Sequence, residues 1–171
     1  MPSSTPEIRV LTVADAPAYC AVRLAALQND PLAFVTTAEE FAARTLESVA
    51  EQLAPRPEAV TFGAFLGGEL VGLMTVARES RPSIRHRANI YGVSVLPAAR
   101  GQGCGDALMR AALAKAQELE GMTSLHLAMT ETQAAARRLY ERHGFRVWGT
   151  QPDALRHGGQ SYSEHWLWRE V

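Results

Sequence analysis

The chain has 171 residues, 47% hydrophobic and 20% charged, with 17 basic side chains against 18 acidic ones for a formal net charge of −1. That length suits one domain with its own core and no need of a disulfide or metal staple, and the near-cancelled charge excludes nucleic-acid binding by bulk electrostatics. Two cysteines form no disulfide framework, no apolar run reaches the ~18 residues of a membrane span, and Met1–Glu7 has neither the basic nor the apolar segment of a leader, so the expectation is a single cytoplasmic domain over residues 1–171, with no membrane partner.

In chain order, Glu7–Val13 alternates and is rich in β-branched residues, which predicts a first strand. Asp15 is placed to cap a helix with Pro17 in its first turn, running to Gln28 and stopped by Asn29-Asp30-Pro31. Thr37 caps a second helix over Ala38–Leu53, with Phe41, Leu46, Val49 and Leu53 on one side and Pro55-Arg56-Pro57 as its stop. Val60–Leu66 and Leu70–Arg78 read as a hairpin turned at Gly67-Gly68-Glu69. Ala88–Val95 is a further strand, and Gly103–Glu120 a long helix with Leu108, Ala112, Ala116 and Leu119 in one stripe. Thr123–Met129, Glu131–His143 and Phe145–Trp148 read as strand, helix and strand. Gln160–Trp168 closes the order with Tyr162, Trp166 and Trp168 on one face, the tryptophans expected in the core and a homodimer contact as the alternative. The sum is an α/β (α+β) fold with a mixed sheet of about seven strands and four helices.

The chemistry concentrates between a strand and a helix. Val93-Ser94-Val95 ends at Leu96-Pro97, and Arg100-Gly101-Gln102-Gly103-Cys104-Gly105-Asp106 opens directly into the long helix. A helix start leaves N–H groups without intrahelical partners and carries partial positive charge, and glycines let a phosphate approach the backbone. Other nucleotide motifs fail. The one lysine, Lys115, lies far from this loop, so a Walker-A site is excluded. Asp106 stands where a dinucleotide fingerprint needs its third glycine.

Arg100-Gly101-Gln102-Gly103-Cys104-Gly105 resembles the Gln/Arg-x-x-Gly-x-Gly/Ala motif of the GNAT superfamily of N-acetyltransferases. Ala136-Arg137-Arg138-Leu139-Tyr140-Glu141-Arg142-His143-Gly144-Phe145 is similar to that family's Ala-x-x-Leu-Tyr-x-x-x-Gly-Phe signature, in the family's order and with a strand between the two. The resemblance implies a mostly antiparallel sheet whose central strands splay apart. It also implies acetyl-coenzyme A as co-substrate and no metal. Val93, Ser94 and Val95 would pair with the pantetheine arm, the N–H near Val93 polarising the thioester carbonyl, and Arg100, Gly101, Gln102, Gly103, Cys104, Gly105 and Asp106 would hold the pyrophosphate. Tyr140 would protonate the departing thiolate. Gln133, where many members carry asparagine, keeps an amide toward the coenzyme on a longer arm.

Cys104 at the helix start is expected to pack beneath the loop rather than act as nucleophile, and Cys20 to lie on a buried helix face. The five histidines lack metal-ligand spacing. His86 and Glu79 stand near the central strand as candidate bases, each more simply a solvated loop residue. Arg78, Arg81, Arg85 and Arg87, with Arg137 and Arg138, read mainly as solvated surface, the alternative being an anion site. The expected function is acetyl-CoA-dependent N-acetylation of a primary amine, a small molecule or amino acid being favoured. The alternatives are a non-catalytic acyl-CoA sensor or scaffold, or a protein N-terminal acetyltransferase.

Overall fold

A computed structural model describes residues 5–171. The first strand, β1 (Glu7–Val10), is shorter than its β-branched run. The chain leaves it at Leu11, which is fully buried, and passes through a single 3-10 turn into α1 (Ala16–Asn29). Asp15 stands at the cap position, but its carboxylate bonds back to the Thr12 N–H at 2.8 Å and to Arg9 at 2.8 Å, which clamps the end of β1 to the start of α1.

The second helix is broken in two. Thr37 caps α2 (Ala38–Ala42) through the Glu40 N–H, and Glu40 returns a bond to the Thr37 N–H. Thr45 then captures the Ser48 N–H and starts α3 (Leu46–Leu53). A hydroxyl residue mid-pattern offers the backbone a cap in place of another turn, and here the cap wins. Leu46, expected on the buried side, is consequently half exposed, while Phe41, Val49 and Leu53 are buried.

The sheet comes from β2 (Ala59–Leu66), β3 (Glu69–Arg78), β4 (Arg87–Val95), β5 (Ser124–Thr130), β6 (Arg146–His157) and β7 (Gln160–Glu170), added to β1. Its order is β1-β2-β3-β4-β5-β7-β6. Only β4 and β5 run parallel; the other neighbours are antiparallel, as expected. Two hydrophobic clusters cover its two faces. On one, Leu108, Ala112 and Ala116 of α4 (Cys104–Glu118) pack on Phe62, Met74, Val76 and Leu125, with Tyr140 of α5 (Ala134–Arg142) and Phe145 at the edge. On the other, Tyr19, Val22 and Leu27 of α1 meet Leu11, Leu70, Leu73, Val49 and Leu53. Each fully buried Leu of this kind stabilises the fold by about 2 kcal/mol.

Two sheet details position the site. Between the pairs Leu73↔Ser94 and Thr75↔Tyr91, β4 sets Gly92 and Val93 against Met74 alone, a β-bulge whose Gly92 has φ +57°. Moreover, β4 and β5 pair only over Arg87–Asn89 and Ser124–His126, although both strands run on beyond. The central strands therefore part. At the other end of the sheet Leu167 is the fully buried residue of β7. Trp166 and Trp168, expected in the core, are half-buried on the opposite face, because the period of two that buries Leu167 turns its neighbours the other way. Trp168 lies under the Arg146 guanidinium and Trp166 beside the exposed Trp148.

Candidate active site

Where β4 and β5 part, a cavity of about 400 Å³ opens between them. Gly92 and Val93 form one wall, Leu127 and Met129 the other, with Tyr140 and Trp166 alongside. Gly92 and Val93 have no partner residue on β3, and β4 beyond Asn89 has none on β5. Backbone groups of β4 are thus left along the gap, as unpaired strand edges are wherever a ladder stops. Ser94, also in this stretch, has a buried hydroxyl without a hydrogen-bond partner.

The glycine loop sits at the end of β4. Gly101 has φ +76° and Gly103 φ +81°, values that non-glycine residues rarely adopt, and nothing lies within 4 Å of where a Cβ would stand on either. Gly103 is the residue at which α4 begins, and its carbonyl accepts from the Ala107 N–H at 3.0 Å. The N–H groups of Cys104, Gly105 and Asp106 therefore start the helix with no acceptor inside it. A Cβ on Gly105 would come within 3.2 Å of Leu139, so this glycine lets α4 sit tightly against α5, the helix that carries Tyr140. Side chains of the loop fold back on it: Arg100 Nε donates to the Val95 carbonyl and Gln102 Nε2 to the Ala98 carbonyl, each at 3.2 Å. Cys104 is buried, and burial pushes its thiol pKa up, away from thiolate chemistry. The Asp106 carboxylate is taken by His143 at 2.8 Å and Arg142 at 3.1 Å. Burial opposes its ionisation, yet those hydrogen bonds prevail and keep its pKa below the usual value.

Tyr140 is 5% exposed and stands edge-on to Phe145 at 6.1 Å. Burial alone drives its phenol pKa well above the ordinary value, so it holds its proton at any physiological pH. Gln133 lies at the head of α5 on the cavity wall, with Nε2 donating to Asp30 at 3.2 Å and so tying the end of α1 across the cleft. The sites expected from sequence thus fall into two connected groups: Val93, Gln133 and Tyr140 line the cavity, and residues 100–106 form the loop beyond Val95.

Two charged cavity residues carry no motif in the sequence. Arg23 of α1 reaches the cavity beside Phe34, its guanidinium carbon 4.4 Å from the ring centroid, and its Nη1 is buried without a hydrogen-bond partner. Glu164 of β7 faces the same space, and desolvation raises its pKa. The signal for Glu164 was its period-two alignment with Trp166; a helix arginine offered none. The candidates His86 and Glu79 do not line the cavity. His86 is exposed, as its solvated-loop reading expected, and the Glu79 carboxylate accepts from the Asn89 amide at 2.7 Å. Arg78 and Arg85 are tied to Glu58, and Arg78 also to the Arg85 and Glu120 carbonyls, which makes them structural. Among the described residues no cluster of three His, Cys, Asp or Glu side chains is placed to hold a metal ion, and no helix is long and apolar enough to cross a membrane.

Residues 21–145 match the model of the acetyltransferase (GNAT) family. Over 81 residues, 47% of this chain, the sequence is 36% identical to a mycothiol acetyltransferase of Salinispora tropica, but spans only 26% of that longer protein. Over 109 residues, 63% of this chain and 67% of the relative, it is 30% identical to the L-amino acid N-acetyltransferase AaaT of Escherichia coli. An acetyltransferase of the GNAT family from Streptococcus pneumoniae superposes with a TM-score of 0.86 at 22% identity, covering 97% of this chain and 99% of that one. The yncA protein of Salmonella typhimurium, solved with acetyl-CoA, superposes at 0.76 with 21% identity over 98% and 94% of the two chains. With residues 21–145 matching that family's model, the chain belongs to the acetyltransferase (GNAT) family.

Proposed function

We propose that this protein transfers an acetyl group from acetyl-CoA to the primary amine of a small molecule, by direct attack within a ternary complex. The observation that carries this reading is the gap between β4 and β5, with the open glycine loop at one end and Tyr140 in its wall. The residues present fit the coenzyme. Gly101 and Gly103 leave open space above helix-start N–H groups, which suits a pyrophosphate, and the unpaired edge of Val93–Val95 suits an amide-bearing arm laid along it. When bound, acetyl-CoA supplies an activated thioester at the gap.

The chain's own groups then have distinct tasks. The Val93 N–H donates to the carbonyl oxygen as negative charge grows there, a role that backbone donors fill without reorganising. Tyr140 gives its phenol proton to the departing sulfur; burial keeps the phenol protonated until then. Glu164, the one carboxylate on the cavity wall, accepts the proton that the attacking nitrogen must lose, directly or through one water. Overall the ammonium loses one proton through Glu164 to solvent before attack and a second as the C–N bond forms and the C–S bond breaks, while the sulfur gains one from Tyr140, which is then reprotonated, so one proton is released per turnover. The test is thiol release from acetyl-CoA in the presence of amino acids, polyamines, peptides and aminoglycosides. Release with one of these amines, giving a stoichiometric N-acetyl product, supports the reading. Tight acyl-CoA binding without release on any of them favours a sensor or scaffold.

A further inference from the structure

The cavity holds two charged side chains on its wall, and they are of opposite sign: Arg23 from α1 and Glu164 from β7. Neither forms an ion pair with another described residue. Arg23 is the more telling of the two. A guanidinium nitrogen removed from water without an acceptor is unfavourable and calls for an explanation; Arg87 Nε is also buried without a partner, but only Arg23 lines the cavity. The buried Nη1 faces the bulge at Gly92, 3.8 Å from the position of a Cβ there, while stacking on Phe34 holds the guanidinium plane in place. A larger residue than glycine at position 92 would intrude on the space beside that nitrogen. Planar, pre-oriented and unpaired, this group is suited to receive a carboxylate through paired N–H donors.

We propose that the acceptor is a zwitterion, a free α-amino acid, whose carboxylate is bound by Arg23 and whose ammonium faces Glu164. This rests on the acetyl-transfer reading and narrows its substrate class. A peptide N-terminus has no free carboxylate next to its amine, and a polyamine or aminoglycoside brings only positive charge to Arg23. All three are disfavoured by the same unpaired guanidinium.

The test is calorimetric and does not depend on turnover. The twenty L-amino acids and their carboxamides are titrated into the protein saturated with coenzyme A, alongside short peptides and spermidine. Wild type is expected to bind at least one free acid about 30-fold or more tightly than its carboxamide, the size of effect seen when a buried charge loses its partner. Arg23→Met, which keeps the apolar stem against Phe34, is expected to bring that ratio near one with coenzyme A affinity unchanged. Arg23→Lys, which keeps the charge and loses the fork, is expected to fall between the two and serves if the methionine variant does not fold. Acid preference that survives in both variants, absence of preference in wild type, or no binding of any free acid overturns the proposal. If carboxamides or polyamines are acetylated as readily as free acids, acetyl transfer stands and the zwitterion site falls. If Arg23-dependent acid binding is found without thiol release, the zwitterion site stands and acetyl transfer falls.

Discussion

A buried phenol lacks the water that its phenolate needs, so Tyr140 keeps its proton while remaining in the wall of an open cleft. That is the state a general acid requires, and it makes Tyr140→Phe informative, since the ring and its packing on Phe145 are retained. In steady-state assays this variant is expected to lose ~10²–10⁴-fold in kcat with coenzyme A affinity unchanged; unaltered kcat removes Tyr140 from the chemistry. Glu164 is shifted by the same cause with the opposite use, because a carboxyl whose pKa is raised is fully ionised only above the ordinary glutamate range. Thr130 and Gln151 lie opposite it on the neighbouring strands, His165 follows it in β7, and Arg23 and Tyr140 share the cavity wall. As a proton acceptor it makes kcat/KM rise with pH through that raised value, and Glu164→Gln is expected to lower the plateau and remove the limb. The stability sign is consistent. The protonated form suits the fold, so the cost of the buried carboxylate is absent below the unfolded pKa and complete above the folded one. Glu164→Gln should therefore melt no lower than wild type above neutral pH.

At the scale of elements, the start of α4 and the start of α1 solve different problems with acidic and glycine residues. Gly103 must take φ +81°, and the space above it is open. Gly103→Glu is expected to abolish coenzyme A binding by backbone strain together with like charge, and normal calorimetric affinity would dissociate the loop from the coenzyme. At α1, the Arg9 guanidinium is the main cause that lowers the Asp15 pKa to about 2. This contribution is complete above the unfolded pKa and is lost as pH falls through the folded one. Asp15→Asn is expected to destabilise the protein by about 1 kcal/mol at pH 7, given that Arg9 is largely solvated, with the difference shrinking toward pH 2 in denaturant melts. The elements themselves were mostly legible, because long periodic segments such as Cys104–Glu118 obey a local rule. The break at Thr45 was not legible, since the hydroxyl residue that caps α3 is compatible with a helix interior until tertiary packing chooses. The inversion at Trp166 and Leu167 has the same origin: alternation shows which residues share a face, and only the rest of the fold decides which face is buried.

For the whole molecule, the architecture turns a sheet into a site by failing to complete it. Three paired residues join β4 to β5, and everything beyond is cleft. That Val93, Gln133 and Tyr140 line the cavity was readable because the segments that resemble the family's motifs are local in sequence. Arg23 and Glu164 come from elements far apart in the chain and carry no motif, so the proposed acceptor half of the site emerged only when the fold brought them to one cavity. In the proposed complex, acetyl-CoA enters the gap between the parted strands with its phosphates on the glycine loop. Amide hydrogen exchange, followed by mass spectrometry with and without saturating acetyl-CoA, tests it most directly. Added protection is expected at residues 92–95 and 101–106, with β1 and the β6–β7 turn unchanged. Acetyl-CoA binding that leaves those two segments unprotected, or that protects a different face of the sheet, would contradict it.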